Sequence, residues 1–153
     1  MEISKNLSAM LSMIAYSEGT DNGRQPTKNH GYDVIVGGEL FTSYADHPRK
    51  LVNLRPGLAS TAAGRYQVLA RYFDTYKKQL NLPDFSPESQ DAIAIQLIKE
   101  CGALRDIEAG YIDIAITKCA SRWASLPGAG YGQHENDKSR LVAAYKTAGG
   151  LVA

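Results

Sequence analysis

The apolar residues near the start of the chain repeat with the spacing of one helix face. The repeat consists of Leu7, Met10, Leu11 and Ile14. This i, i+3, i+4, i+7 pattern is typical of an amphipathic α-helix. Ser4 can cap the start of that helix, and Gly19 is a typical residue at a helix C-terminus. The pattern therefore predicts a first helix whose last turn carries Glu18.

Four later segments also have helical patterns. They span residues 65–80, 86–102, 111–124 and 136–148. The second has the clearest start, because Ser86-Pro87-Glu88 combines an N-cap serine, a proline at the first helical position and an acid in the first turn. Gly102 is expected to end it. These segments predict a mainly helical protein.

A short β-hairpin is predicted near the N-terminus. Residues 32–36 are rich in β-formers, a Gly37-Gly38 pair follows, and a second apolar run covers residues 39–41. Two such runs around a glycine pair are typical of a hairpin. Residues 45–60 contain two prolines and are interpreted as irregular. The expected fold is a single α+β domain over residues 1–153, mainly helical, with a hairpin sub-part and a cleft between them.

Composition and charge narrow the range of functions. The 153 residues carry a formal net charge of +1, so no basic excess indicates a nucleic-acid binder. No segment approaches the roughly 20 apolar residues of a membrane span, and no signal peptide is recognised. Cys101 and Cys119 are interpreted as free thiols, although a disulfide stays open. The scattered histidines and cysteines lack the spacing of a metal site.

Glu18 is the first candidate for chemistry. Cleavage of a glycosidic bond needs a carboxylic acid that holds its proton near neutral pH, which requires an apolar setting. Glu18 follows an apolar helix face and precedes a polar, glycine-containing loop. The alternative is a solvated glutamate at a helix end. A second carboxylate could come from Asp21, Asp33 or Glu39; Asp33 is the best of these, although a simple turn residue is an equal interpretation.

Two glycine-containing segments could contact a sugar. In residues 62–67, small residues allow close approach, Tyr66 offers a ring face and Gln67 offers both a donor and an acceptor. In residues 127–132, Tyr131 supplies an aromatic plane within a glycine-rich loop. The alternatives are a loop that starts a helix and a turn between helices. By themselves these features predict a cleft-bearing domain that could bind carbohydrate.

Five segments carry a resemblance to a known family. They are residues 16–25 (YSEGTDNGRQ), 29–41 (NHGYDVIVGGELF), 46–50 (DHPRK), 64–67 (GRYQ) and 123–133 (WASLPGAGYGQ). In this order they resemble the endolysins of bacteriophage lambda and its relatives, a family of lytic transglycosylases. The resemblance covers nearly the whole chain.

The resemblance implies a lysozyme-like fold and a specific reaction. The family cleaves the β-1,4 bond between N-acetylmuramic acid (MurNAc) and N-acetylglucosamine (GlcNAc), and the C6 hydroxyl of the muramic acid attacks C1 to leave a 1,6-anhydro ring. The catalytic glutamate of the family corresponds to Glu18, with no carboxylate nucleophile. Residues 50–60 and 127–140 correspond to two lips over the cleft, and Gln67 and Tyr131 correspond to sugar contacts.

The resemblance also implies the setting of the reaction. The expected substrate is the glycan strand of peptidoglycan, handled by a monomer without cofactor or metal. The protein is expected to stay in the host cytoplasm until a holin releases it to the periplasm and cell wall. Two other functions stay open: a hydrolytic muramidase in which Asp33 positions water, and a peptidoglycan-binding module without catalytic activity.

Overall fold

The computed structural model describes residues 3–130 and 135–153. Within these ranges the chain forms six helices and one two-stranded antiparallel sheet, so the α+β prediction is confirmed. In this described part of the chain, none of the helices is long and apolar enough to cross a bilayer. In chain order the elements are α1 (Lys5–Glu18), β1 (Val52–Arg55), β2 (Leu58–Ser60), α2 (Ala70–Gln79), α3 (Pro87–Glu100), α4 (Leu104–Ala109), α5 (Ile112–Cys119) and α6 (Lys138–Thr147).

Helix α1 begins and ends where its sequence predicts. The Ser4 hydroxyl accepts a hydrogen bond from the Leu7 N–H at 3.0 Å, which satisfies one of the unpaired donors of the first turn. Gly19 follows the last helical residue with a φ of 79°, the left-handed conformation that glycine adopts readily. All four apolar residues of the predicted face are buried. Glu18 therefore lies in the last turn of a helix that is firmly anchored.

The internal contacts divide the chain into two compact units. The first comprises residues 1–18 and 95–153. In it, α1 packs against α4 and α6, and α5 packs against the same two helices. Its core is made of large side chains that are essentially solvent-free: Met10, Met13, Ile14, Ile98, Ile107, Ile116 and Tyr145. Each contributes about 1.5–3 kcal/mol by its burial, which gives α1 a rigid support.

Helix α4 was not predicted from the sequence. It has only six residues, too few for an apolar repeat to be recognised. Gly110 ends it in a left-handed conformation, with its N–H donating to Ile107 O. A Cβ at Gly110 would come within 3.0 Å of Leu151 O, so this position needs glycine for its close packing as well as for its conformation.

The second unit comprises residues 19–94 and contains the regular sheet. Strands β1 and β2 pair Val52 with Ser60 and Asn53 with Ala59, within the segment predicted to be irregular. That prediction was wrong, because Pro56-Gly57 forms the turn of a hairpin instead of breaking the structure. Most residues of the two strands are exposed, so no alternation of apolar and polar positions marks them.

The predicted hairpin at residues 32–41 is only partly formed. Ile35 N–H donates to Glu39 O at 2.7 Å and Phe41 N–H donates to Asp33 O at 2.9 Å, so the two runs do pair around the glycines. However, the pairing is a single bridge, and neither run is a regular strand. The next donor, Val36 N–H, turns to Ala62 O instead. Competition from residues 62–63 ends the pairing, so the hairpin prediction is corrected to a bridged turn.

Two later helices are shorter than their sequence patterns predicted: α2 begins later and α5 ends earlier. Helix α2 begins at Ala70 and not at residue 65, since Ala63 and Val68 pair across a tight turn in which Gln67 has a φ of 56°. Helix α3 starts behind its predicted cap, with Ser89 N–H donating to the Ser86 hydroxyl. Helix α5 ends five residues earlier than predicted, at Cys119, and α6 covers most of its predicted range.

Candidate active site

The Glu18 carboxyl group lies at the C-terminal end of α1 and is half-buried. Its Oε2 accepts a hydrogen bond from the Ser125 hydroxyl at 2.5 Å. An acid at a helix C-terminus meets the negative end of the helix dipole, which disfavours the ionised form. The position therefore suits a carboxyl group that is neutral for part of its working cycle.

Burial raises the pKa of Glu18 from 4.5 to about 7, and the Ser125 hydrogen bond opposes that rise. Desolvation favours the neutral acid, whereas a donor on the carboxylate favours the anion. Near neutral pH both protonation states are therefore well populated. A group of this kind can give a proton and then take one back, as general acid–base catalysis requires.

Behind Ser125 lie two further polar side chains. The hydroxyl of Ser17 is 2.8 Å from that of Ser125. The side-chain nitrogen of Asn136 donates to the Ser17 hydroxyl at 3.1 Å and to the Ser17 carbonyl at 2.8 Å. Sequence reasoning missed all three residues. The partners are more than 100 positions apart along the chain, and no local pattern marks a contact of that range.

Asp33 is 4% exposed, and both of its carboxylate oxygens have partners. Oδ1 accepts from the Thr27 hydroxyl at 2.6 Å, and Oδ2 accepts from the Lys28 N–H at 3.0 Å. These bonds order the loop that precedes the bridged turn, as the alternative of a turn residue predicted. A role in binding substrate stays a prediction.

Tyr66 is 1% exposed, so its ring presents no face to a sugar. That part of the prediction was wrong. The Tyr66 hydroxyl donates to Asp91 Oδ1 at 2.6 Å, and the Tyr32 hydroxyl donates to the same oxygen at 2.8 Å. Arg65 lies over both rings and pairs with Asp21 at 3.2 Å. Sequence reasoning could not find this arrangement, because burial of the polar cluster depends on contacts distant along the chain.

Gln67 occupies a left-handed conformation that is unusual for a residue with a side chain. Its amide nitrogen donates to Gly64 O at 2.9 Å and to Val34 O at 3.3 Å. These bonds fix the amide with its oxygen, Oε1, pointing away from the backbone carbonyls. Within residues 3–130 and 135–153, no group donates to that oxygen. Gln67 is therefore held as an acceptor, consistent with the sugar contact that was predicted for it.

Tyr131 falls outside the described residues, and its role stays a prediction. The adjacent glycines of the same segment are ordered by Glu135. Its carboxylate accepts from the Gly128 N–H at 2.9 Å and from the Gly130 N–H at 3.0 Å. These two donors lower the pKa of Glu135. Glu135 was not singled out from the sequence, since a carboxylate that bonds glycine backbone has no characteristic spacing.

The other two candidate carboxylates are each engaged with a cation. Asp21 pairs with Arg65, and Glu39 pairs with Lys50 in an exposed contact. In the part of the chain that the structure describes, no group of three or more His, Cys, Asp or Glu residues could hold a metal ion. Cys101 and Cys119 are free thiols, the first half-buried and the second buried.

Comparisons with known proteins give consistent matches over the whole chain. A family model described as endolysin matches residues 8–152. The endolysin of Escherichia phage lambda is 64% identical over 152 residues, covering 99% of this chain and 96% of the relative. The endolysin of Escherichia phage P2 is 55% identical over 160 residues, covering 97% of this chain and 96% of the relative.

Solved structures match equally well. Bacteriophage lambda lysozyme complexed with a chitohexasaccharide superposes with a TM-score of 0.98 at 63% identity, covering 100% of this chain and 99% of that one. A second structure of lysozyme from bacteriophage lambda has a TM-score of 0.94 at the same identity and coverage.

Proposed function

This chain belongs to the endolysin family and has its lysozyme-like α+β fold, and we propose that it cleaves the MurNAc-GlcNAc β-1,4 bond of peptidoglycan as a lytic transglycosylase. The observation that carries the proposal is the Glu18 carboxyl group, half-buried, with a pKa of about 7 and a single hydroxyl donor among the described residues. The chitohexasaccharide bound by the lambda lysozyme supports a β-1,4-linked amino-sugar chain as the substrate class.

In the proposed mechanism Glu18 acts twice. It first donates its proton to the glycosidic oxygen, so that the bond between C1 and this oxygen breaks with an oxocarbenium-like transition state. The C6 hydroxyl of the same muramic acid then attacks C1, and the Glu18 carboxylate takes the hydroxyl proton. A bond from C1 to O6 replaces the glycosidic bond, no water is consumed, and Glu18 ends protonated. Because the nucleophile is part of the substrate, its proximity replaces a bound water.

A hydrolytic muramidase is the second candidate. It needs a group to position water, and Asp33 was the best candidate for that role. Both Asp33 oxygens already accept hydrogen bonds from Thr27 and Lys28, and Asp21 and Glu39 are paired with cations. These engagements favour the transglycosylase over the hydrolase.

Mass spectrometry of the released fragments separates the two reactions. Digestion of purified peptidoglycan in H₂¹⁸O is expected to give fragments one water lighter than hydrolysed ones, without ¹⁸O at the new muramic acid end. Fragments that carry ¹⁸O would identify a hydrolase. A cell-wall zymogram tests the third candidate, a binding module without turnover, because such a module would leave no clear zone.

We also propose that Gln67 accepts a hydrogen bond from the bound glycan, since its amide nitrogen is already occupied and its oxygen is not. The Tyr131 contact is proposed on the family resemblance alone.

The protein is proposed to work as a monomer without cofactor, held in the host cytoplasm until a holin releases it to the periplasm. Expression with and without a holin gene tests this last step, with lysis expected only in its presence.

A further inference from the structure

A chain of four side chains runs from Asn136 to Glu18. The first link is the Asn136 side-chain nitrogen, which is 2.8 Å from Ser17 O and 3.5 Å from Ser125 O. Both of these are backbone carbonyls, which only accept hydrogen bonds. They therefore identify the atom facing them as the NH₂ group and exclude the flipped amide. Asn136 is thus a donor to the Ser17 hydroxyl as well, at 3.1 Å.

The direction of the remaining links follows from the number of hydrogens. Each serine hydroxyl has one hydrogen to donate. Ser125 uses its hydrogen on Glu18 Oε2, so the 2.8 Å contact between the two hydroxyls is a donation from Ser17 to Ser125. Ser17 accepts from Asn136 and donates onward, which satisfies both of its roles. Every link thus points toward the Glu18 carboxyl group.

We propose that Ser17 and Asn136 are positioning residues for the reaction, which hold the Ser125 hydroxyl as a donor to Oε2 and so keep the transferable proton of Glu18 on Oε1. The inference rests on the proposed function and deepens it. Oε2 accepts the hydrogen bond from Ser125, and Oε1 gives and takes the proton in the two transfer steps. If Ser125 instead donated to Ser17, the Ser17 hydroxyl would accept from both Asn136 and Ser125, and its own hydrogen would not reach Ser125.

On the helices that pack against α1, which are α4 and α6, the charged side chains of the described residues either have partners other than Glu18 or form no ion pair. Glu108 of α4 accepts from Ser4, at the far end of α1 and roughly 20 Å along its axis from Glu18. Asp106 pairs with Lys118, and Asp137 accepts from Ser139. Within the described residues, the remaining cations of α4 and α6 form no ion pair: Arg105, Lys138, Arg140 and Lys146. Neutral groups therefore provide the polar contact to Glu18.

The test measures the Glu18 carboxyl group directly. In protein labelled with ¹³C at glutamate side chains, the carboxyl resonance is titrated in wild type, Ser125→Ala, Ser17→Ala and Asn136→Ala. Ser8→Ala, an exposed serine on the same helix, is the matched control. Each removal is expected to raise the pKa of Glu18, most for Ser125→Ala, because each weakens a bond to the carboxylate. Hydrogen bonds in a chain strengthen one another by about 10–30% each, so Ser17→Ala and Asn136→Ala should lower kcat about 1.3- to 5-fold.

A positioning role also predicts how the kinetics change. The descending limb of the pH–rate profile should move to higher pH in step with the NMR titration, with KM unchanged. If Ser17→Ala and Asn136→Ala titrate and turn over like wild type and Ser8→Ala, the proposal is overturned. If Asn136→Ala does not fold, Ser17→Ala decides alone, because it removes only one oxygen from a buried position.

The fragments released by each variant keep the two proposals separate. Anhydro products with an unchanged Glu18 titration would overturn the positioning role and leave the transglycosylase intact. Hydrated products with a shifted titration would overturn the transglycosylase and leave the positioning role intact.

Discussion

Glu18 and Asp33 are two carboxyl groups in different units of the same chain, and their surroundings differ in an instructive way. Asp33 is the more buried of the two, yet each of its oxygens accepts a hydrogen bond from a neighbouring loop residue. Glu18 is only half-buried, but the single hydroxyl of Ser125 offsets little of its desolvation. Asp33 thus orders a loop through two donors, whereas Glu18 has one donor against the burial that raises its pKa.

Removal of the Glu18 carboxyl group should have the largest effect. Glu18→Gln keeps the size of the side chain and loses the exchangeable proton, so kcat on purified peptidoglycan is expected to fall roughly 10²–10⁴-fold. Far-UV circular dichroism should be unchanged. A variant that clears cell walls at the wild-type rate would remove Glu18 from the mechanism.

The next test removes the Asp33 carboxylate. Asp33→Ala strands the Thr27 hydroxyl and the Lys28 N–H without their acceptor. It should therefore cost about 1–3 kcal/mol in the free energy of unfolding, measured by urea denaturation. The rate per folded molecule should stay within a few-fold of wild type. A folded Asp33→Ala protein without turnover would instead support the hydrolytic alternative.

The raised pKa of Glu18 also predicts a dependence of stability on pH. Folding favours the protonated form of this group, so its contribution is fully present below pH 4.5 and is lost as pH rises through about 7. Glu18→Gln stays neutral throughout. It should be more stable than wild type at pH 8, by on the order of 1–2 kcal/mol after allowance for partial exposure, and about equal at pH 4. Equal stability of the two proteins at both pH values would contradict the raised pKa.

The smallest expected effect concerns the two thiols, Cys101 and Cys119. A hydrogen bond from Cys119, supported by one from Ser121, lowers the pKa of Cys101 to about 6, whereas the hydrogen bond to Cys101 and burial raise the pKa of Cys119. Since the thiolate is the reactive form, iodoacetamide at pH 7 should alkylate Cys101 first, as peptide mapping would detect. Cys101→Ser should abolish the fast phase, and preferential labelling of Cys119 would reverse the assignment.

Features that depend on neighbouring residues were predictable from the sequence. The face of α1, its serine cap and its final glycine are all set by residues a few positions apart, and they placed Glu18 correctly at the end of the helix. The β1–β2 hairpin was missed because its strands are largely exposed and show no alternation. The bridged turn at 32–41 was overestimated because its strand pairing is interrupted by Ala62, which no local pattern announces.

The candidate site shows the same division. Glu18 could be singled out, because an acid at the end of an apolar helix is a local feature. Its partners could not, since Ser125 and Asn136 are 107 and more positions away along the chain. The Tyr66 ring was misjudged for a related reason: an aromatic residue two positions after a glycine gives no sign of whether a contact with Asp91, 25 positions away, will bury it.

The bond from the Asn136 N–H to Ser125 O, at 2.7 Å, joins the chain as it enters and leaves the ten residues between them. A longer peptide between these two residues would therefore add only a small entropic cost, because its ends stay joined at the two residues whose side chains serve Glu18.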